Sequence, residues 1–220
     1  MTDLRDTLIA TARAMQTAGL NKGTSGNVSV RQDQGFLITP TGLPYADLVA
    51  DDIPLMALDG SHTGRCKPSS EWRFHRDLYA SRPEVGAVLH AHSPFAVSLA
   101  CLRREIPPFH YMIARFGGDT IRCSDYAIFG SQALSTAALA ALESRKGCLL
   151  ANHGLLVAGR DLAEAFAMAH ADIARGALVQ PGRLHGAGRG DQLFAQVSHR
   201  LRPGRGRAGL RGWRRKRRAR

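Results

Sequence analysis

Paired cysteines are absent from this chain of 220 residues: Cys66, Cys101, Cys123 and Cys148 stand far apart, without C-x-x-C spacing or a framework of close pairs. That excludes a disulfide-stapled scaffold and a four-cysteine zinc site. With no secretory signal at the N-terminus, the four are expected as reduced thiols in a cytoplasmic protein. Long apolar runs are absent too. The longest stretch, Val85 to Leu102, carries His90, His92 and Pro94, so no membrane span is expected. No internal repeat is visible, which excludes a solenoid. Aromatics amount to only 6%, but the apolar fraction of 44% is ordinary for a globular protein and excludes bulk disorder.

Acid is scarce in one place only. Residues 171–220 hold 14 Lys+Arg against Asp172 and Asp191, whereas residues 1–170 hold 16 cationic and 16 acidic residues. The net charge of +12 therefore belongs entirely to the final fifty residues. From Val179 onward Gly, Arg and Pro dominate, ending in Trp213-Arg214-Arg215-Lys216-Arg217-Arg218. Such text buries too little apolar surface to offset its ordering entropy. The expected division is a catalytic domain over residues 1–178 and a basic tail over 179–220, disordered or the product of a shifted reading frame. Cations around Trp213 could contact nucleic-acid phosphates or an acidic membrane surface, but the composition favours a dispensable or aberrant ending, and neither partner is expected.

The domain alternates helical and strand-like text. Leu4, Leu8, Ala12 and Met15 recur at helical spacing between a capping Asp3 and Gly19, predicting a first helix over 3–18. Val28-Ser29-Val30, Phe36-Leu37-Ile38 and Ile53 to Leu58 read as strands, with Asp59-Gly60 as a hairpin turn. Pro68-Ser69-Ser70-Glu71 reads as a helix start, serine capping and glutamate in the first turn, continuing to about Ser81. Helices are also predicted over 94–103 and 131–145. Cys148 to Ala151 and Leu155 to Val157 make two strands joined at Asn152-His153-Gly154, and Asp161 with Glu164 forms a capping box for a last helix.

Chemistry concentrates on few residues. Val85 to His92 reads as a buried strand, on which residues two apart point to one side, so His90 and His92 face one point. A third imidazole from a distant segment, His153 being the candidate, completes three neutral nitrogens with an open position, the arrangement of catalytic zinc. A metal there needs a base beside it. Glu71 is the candidate, since partial burial raises a carboxylate toward working pH; it reads equally as a first-turn carboxylate favoured by the helix dipole. Thr24-Ser25-Gly26-Asn27, Thr41-Gly42 and Ser69-Ser70 offer the hydroxyls and small residues that phosphate prefers, although each string also makes an ordinary turn or cap.

Several segments carry a resemblance, all in one register over residues 4 to 175: Gly23 to Val30, Leu37 to Gly42, Pro68 to His75, Ser81-Arg82-Pro83, His90-Ala91-His92, Ile106-Pro107, His110 to Ala114 and His153-Gly154-Leu155. On these the chain resembles the class II aldolase/adducin family, most nearly its members that act on L-fuculose 1-phosphate. The resemblance implies an α/β fold, a mostly antiparallel central sheet sandwiched between helix layers, in a homotetramer with shared active sites. It implies one Zn(2+) per subunit on His90, His92 and His153, with Glu71 as proton donor and acceptor that also ligates the metal before substrate arrives. Thr24, Gly26, Asn27, Thr41, Gly42, Ser69 and Ser70 match the substrate-phosphate segments. Tyr111 matches a tyrosine that an adjacent subunit supplies to protonate the aldehyde oxygen; from its residue type alone it reads as a core or interface aromatic.

The reaction so implied is reversible cleavage of a ketose 1-phosphate, L-fuculose 1-phosphate first, to dihydroxyacetone phosphate and a short aldehyde such as L-lactaldehyde. No lysine in the matched segments offers a Schiff base. A sugar-phosphate epimerase of the family resembles the chain less, having aspartate where Glu71 stands. A dehydratase or a 5-deoxypentulose-phosphate aldolase stays open, and the three-histidine set argues against a non-catalytic adducin-type member. The resemblance fades near Ala177.

Overall fold

The central strands are apolar on both faces, and a sheet built from them must be covered on both sides. In the computed structural model, which describes residues 3–170 except Gln34 and Phe109, seven strands form one sheet. They are β1 (Asn27–Gln32), β2 (Gly35–Ile38), β3 (Leu55–Ala57), β4 (His62–Thr63), β5 (Ala87–Ala91), β6 (Gly147–Leu150) and β7 (Gly154–Gly159). Their order is β4-β3-β2-β1-β5-β7-β6, and every neighbouring pair is antiparallel. The expected basic tail over 179–220, with its boundary at 178, lies outside the described residues.

Five helices cover the sheet: α1 (Leu4–Thr17), α2 (Trp72–Ser81), α3 (Pro94–Cys101), α4 (Gln132–Ala141) and α5 (Leu162–His170). Side-chain alternation sorts the core into two clusters. Val28, Val30, Leu37, Leu89, Leu149, Leu155 and Val157 pack with Leu8, Ile9, Ala12, Met15, Leu162 and Ala165 of α1 and α5. Phe36, Ile38, Val88, Cys148, Leu150, Leu156 and Ala158 pack on the other face with Phe74, Leu78, Leu134 and Ala138 of α2 and α4. At about 1.5–3 kcal/mol per fully buried large side chain, the two layers supply the main drive for folding. The antiparallel sandwich expected from the sequence is present, and all four cysteines are free. Among the described residues no helix is long and apolar enough to cross a membrane.

Register fixes what faces α2. Asn27 of β1 pairs with His90 of β5, and Ser29 pairs with Val88. Paired residues share a side, and Val88 belongs to the α2 cluster, so Asn27, Ser29 and His90 all point toward α2.

Candidate metal centre and anion pocket

α2 differs from its expected start in one respect that matters. Ser69 Oγ accepts from the Glu71 backbone N–H at 3.3 Å, but Glu71 itself occupies the cap position and its side chain caps nothing. The first-turn reading of Glu71 is thereby corrected. With φ −100° and ψ 17° the residue stands outside the helix, and its carboxyl turns inward, where the whole residue is only 6% exposed.

There it meets the histidines. His90 Nε2 lies 3.3 Å from Glu71 Oε2, His153 Nε2 lies 3.3 Å from Oε1, and His92 Nε2 lies 2.7 Å from His90 Nε2. One potential ligand atom from each of these four residues falls within 4.8 Å of all the others. Ligands around one tetrahedral zinc stand about 3.3 Å apart, given bonds of about 2.0–2.1 Å to nitrogen. The hairpin β6–β7 presents His153 in its turn, where Asn152 takes φ +57°; Arg103 Nε donates to Asn152 Oδ1 at 2.7 Å. His90 is the penultimate residue of β5 and His92 lies one residue past the strand, its backbone N–H donating to Asn21 Oδ1 at 2.9 Å.

The electrostatics suit a cation. Burial, followed by the neighbouring His92 and His153, holds His90 well below the usual imidazole range. Burial lowers His92, and burial followed by His92 lowers His153 to about 4. All three rings are neutral, with lone pairs to give. His90 Nδ1 is 3.0 Å from the Leu155 carbonyl, so its proton sits on Nδ1 and its Nε2 lone pair faces the cluster. Glu71 rises from 4.5 to about 7 through burial, against the lowering effect of the Asn27 hydrogen bond. Its Oε1 is buried without a hydrogen-bond partner. An orphaned carboxylate oxygen and two imidazole nitrogens face to face form a donor set that a divalent cation fits.

A cavity of about 410 Å³ opens beside the cluster. Thr24, Gly26, Asn27, Thr41, Gly42, Ser69, Ser70 and Glu71 line it together with His92 and His153, so three segments distant in sequence meet at one cavity. Gly26 and Gly42 both take φ +74°, a conformation that glycine adopts without strain. Tyr45 Oη donates to the Gly26 carbonyl at 2.7 Å and pins that loop. Tyr111 is not brought to this cavity. It begins a 3-10 helix over Tyr111–Phe116 and is 80% exposed.

Sequence reasoning missed several residues. Tyr126, Phe129 and Asn152 also line the cavity, and His75, Ser29 and Tyr79 form a buried polar chain behind it. Two signals pointed to that chain: His75 lies four residues after Glu71 on one helix face, and Ser29 lies two after Asn27 on one strand face.

Comparison with known proteins agrees with this architecture. The family model for the class II aldolase and adducin N-terminal domain matches residues 6–172. A 5-methylthioribulose-1-phosphate/5-deoxyribulose-1-phosphate aldolase from Rhodospirillum rubrum is 56% identical over 166 residues, 76% of this chain and 75% of that protein. An L-fuculose phosphate aldolase from Escherichia coli K12 is 46% identical over 163 residues, 74% of this chain and 76% of that one. A solved L-fuculose 1-phosphate aldolase structure superposes with a TM-score of 0.76 at 32% identity, covering 92% of this chain and 90% of its own.

Proposed function

This chain belongs to the class II aldolase and adducin family and is an aldolase, a carbon–carbon lyase; from that premise we propose that it cleaves a terminally deoxygenated ketose 1-phosphate to dihydroxyacetone phosphate and a short aldehyde. The observation that carries the proposal is the convergence of His90, His92 and His153 on a buried, half-orphaned Glu71. The three histidines would hold zinc, one ion per subunit, with Glu71 a fourth ligand until substrate enters. A divalent cation bound there supplies Lewis acidity to a substrate carbonyl and its neighbouring hydroxyl.

The protein's own groups do the rest. Backbone and hydroxyl donors of Thr24, Gly26, Thr41, Gly42, Ser69 and Ser70 would hold the substrate phosphate, and Asn27 still has one amide hydrogen to offer. That anchor sets the distance from phosphate to the bond being broken. Glu71, whose Oε2 is held by Asn27, would carry the proton to and from the carbon next to the carbonyl, and its poise near neutrality suits both directions. Tyr111, exposed on its own subunit, would reach the aldehyde oxygen in the neighbouring subunit's site of a homotetramer.

Two substrate lengths follow from the relatives. The 56% identity to the R. rubrum protein, against 46% to the E. coli protein, favours 5-deoxyribulose 1-phosphate and its methylthio counterpart, which would release a two-carbon aldehyde or its methylthio derivative. L-fuculose 1-phosphate, first in the sequence reading, is the second substrate to test and would release lactaldehyde. The test is a panel of phosphorylated ketoses assayed for dihydroxyacetone phosphate before and after chelation, with metal content measured alongside. Release that stops on chelation and returns with zinc supports the proposal. No release from any substrate, or release that survives complete metal removal, overturns it.

A further inference from the structure

Behind Glu71 runs a file of buried polar groups that leads from Asn27, at the cavity wall, away from the cavity to Tyr79. Asn27 Nδ2 donates to Glu71 Oε2 at 3.1 Å, and Asn27 Oδ1 lies 2.6 Å from His75 Nε2. His75 Nδ1 lies 2.7 Å from Ser29 Oγ, which lies 2.8 Å from Tyr79 Oη. His75 and Ser29 are wholly buried, and Asn27 and Tyr79 nearly so. Phe36 and Phe74 flank the imidazole, with ring centroids 6.5 and 4.7 Å away.

The chemistry of these groups allows one arrangement of hydrogens. An amide oxygen only accepts, so His75 Nε2 must carry the proton. Burial keeps His75 neutral, with its pKa lowered to about 3, so Nδ1 must accept. Ser29 spends its single hydrogen on Nδ1, and the Tyr79 hydrogen goes to Ser29. The Tyr79 oxygen is itself hydrogen-bonded by the Val88 backbone. Turning the Asn27 amide over would set its oxygen against the Glu71 carboxylate and reverse every hydrogen in the file. The two amide orientations are nearly equal in shape, so they are distinguished by what ends the file, the Glu71 carboxylate on one side and the Val88 backbone on the other.

We propose that His75 is a positioning residue for the aldolase: through Asn27 it fixes the orientation of the Glu71 carboxyl, leaving Oε1 to the cation and the substrate. This rests on the reading of Glu71 as the base. His75 lies in the first turn of α2 and Glu71 is the residue that precedes the helix, so both ends of the control meet at one helix entry. The role differs from ligation and from phosphate binding, since neither His75 nor Ser29 lines the cavity.

The experiment uses the full chain with metal bound. In a nitrogen-15 spectrum of the wild-type protein, His75 is expected as the neutral tautomer protonated at Nε2; a ring protonated at Nδ1 overturns the proposal without any mutant. His75→Leu is expected to slow hydrogen exchange on dihydroxyacetone phosphate about tenfold or more, the scale of one lost hydrogen bond to a charged group. Metal content and KM should stay within about twofold, because the three histidines and the phosphate donors of Thr24, Gly26, Thr41, Gly42, Ser69 and Ser70 are unaltered. His75→Gln keeps a donor toward Asn27 and an acceptor toward Ser29 and should recover most of the rate. Ser29→Ala, a smaller change, should give a mixture of tautomers and an intermediate rate. Exchange in His75→Leu or Ser29→Ala equal to wild type, or a His75→Gln no better than His75→Leu, overturns the positioning role. Should Glu71→Gln keep full exchange, the base assignment fails instead, and the two failures are told apart.

Discussion

Replacing Glu71 with glutamine should make the metal-free protein more stable while removing its activity, and the size of the gain follows from the site. Burial raises the carboxyl from 4.5 to about 7, although Asn27 pulls the other way. A folded state with the higher pKa binds more protons than the unfolded chain between these values, so stability falls as pH rises through that window and the full cost is present above about 7. At about 1.4 kcal/mol per pH unit the penalty at pH 8 is about 3 kcal/mol, and at pH 4 it is near zero. Glutamine keeps an oxygen for Asn27 Nδ2 and offers its amide hydrogens to His153 Nε2, 3.3 Å from the present Oε1. The assay is urea unfolding of chelated wild-type and Glu71→Gln protein at pH 5 and pH 8, at equal protomer concentration. The variant should gain about 2–3 kcal/mol at pH 8 and less than about 1 kcal/mol at pH 5. With zinc restored the order should reverse, because only the wild-type carboxylate closes the ligand set. Equal stability at pH 8, or a gain of the same size at both values, would refute the account of a desolvated carboxyl.

Three further outcomes are expected. His153→Ala should lower bound metal and cleavage together by at least about tenfold while the fold survives, since the residue sits in a turn; intact metal content measured by atomic emission would count against the ligand set. Gly154→Ala should cost about 1–3 kcal/mol and weaken metal binding, because its new methyl would collide with the Ala91 carbonyl oxygen and stand 2.8 Å from His92 Cδ2; unchanged thermal unfolding and metal content would contradict that crowding. Glu164→Gln should cost about 1 kcal/mol at pH 7. The Glu164 carboxyl is held at about 2 by Lys146 and by the Arg160 backbone and side chain, so this stability exists above pH 4.5 and is lost as pH falls toward 2. A difference between variant and wild type that persists at pH 2 would exclude that cause.

The elements most legible in the sequence were those whose signals are local. α1 ends within a residue of its expected limits because Asp3 accepts from the Arg5 N–H and Gly19 takes φ +73°, both readable from residue type. The expected strand from Ile53 to Leu58 shrinks to Leu55–Ala57. Ile53 N–H is spent closing a 3-10 turn onto the Ala50 carbonyl, and Pro54 has no hydrogen to give a ladder. The helix expected over 131–145 stops at Ala141, and Ser144 turns the chain at φ +56°, which no residue type announces. The Asp161–Glu164 capping box is half formed. Glu164 N–H donates to Asp161 Oδ1 at 2.7 Å, but the Glu164 carboxylate reaches the Arg160 N–H instead of the cap.

The site was legible where a strand period decided it and illegible where packing did. His90 and His92 converge because a strand repeats every two residues, whatever lies around it. The direction of the Glu71 side chain depends on backbone angles at a helix entry, and the same text fits a surface carboxylate. What distinguishes the two is a set of local violations gathered in one place. A carboxyl is buried with an orphaned oxygen, Asn152 holds a left-handed backbone, and Asn21 keeps an unpartnered Nδ2. Each costs stability taken alone, and the core supplies no reason for any of them. Their common neighbour is the point where a cation and a phosphorylated sugar would sit. Binding both would satisfy the orphaned oxygen and engage the glycine loops, so the cost of burying the Glu71 carboxyl is offset by affinity for the cation and the sugar phosphate.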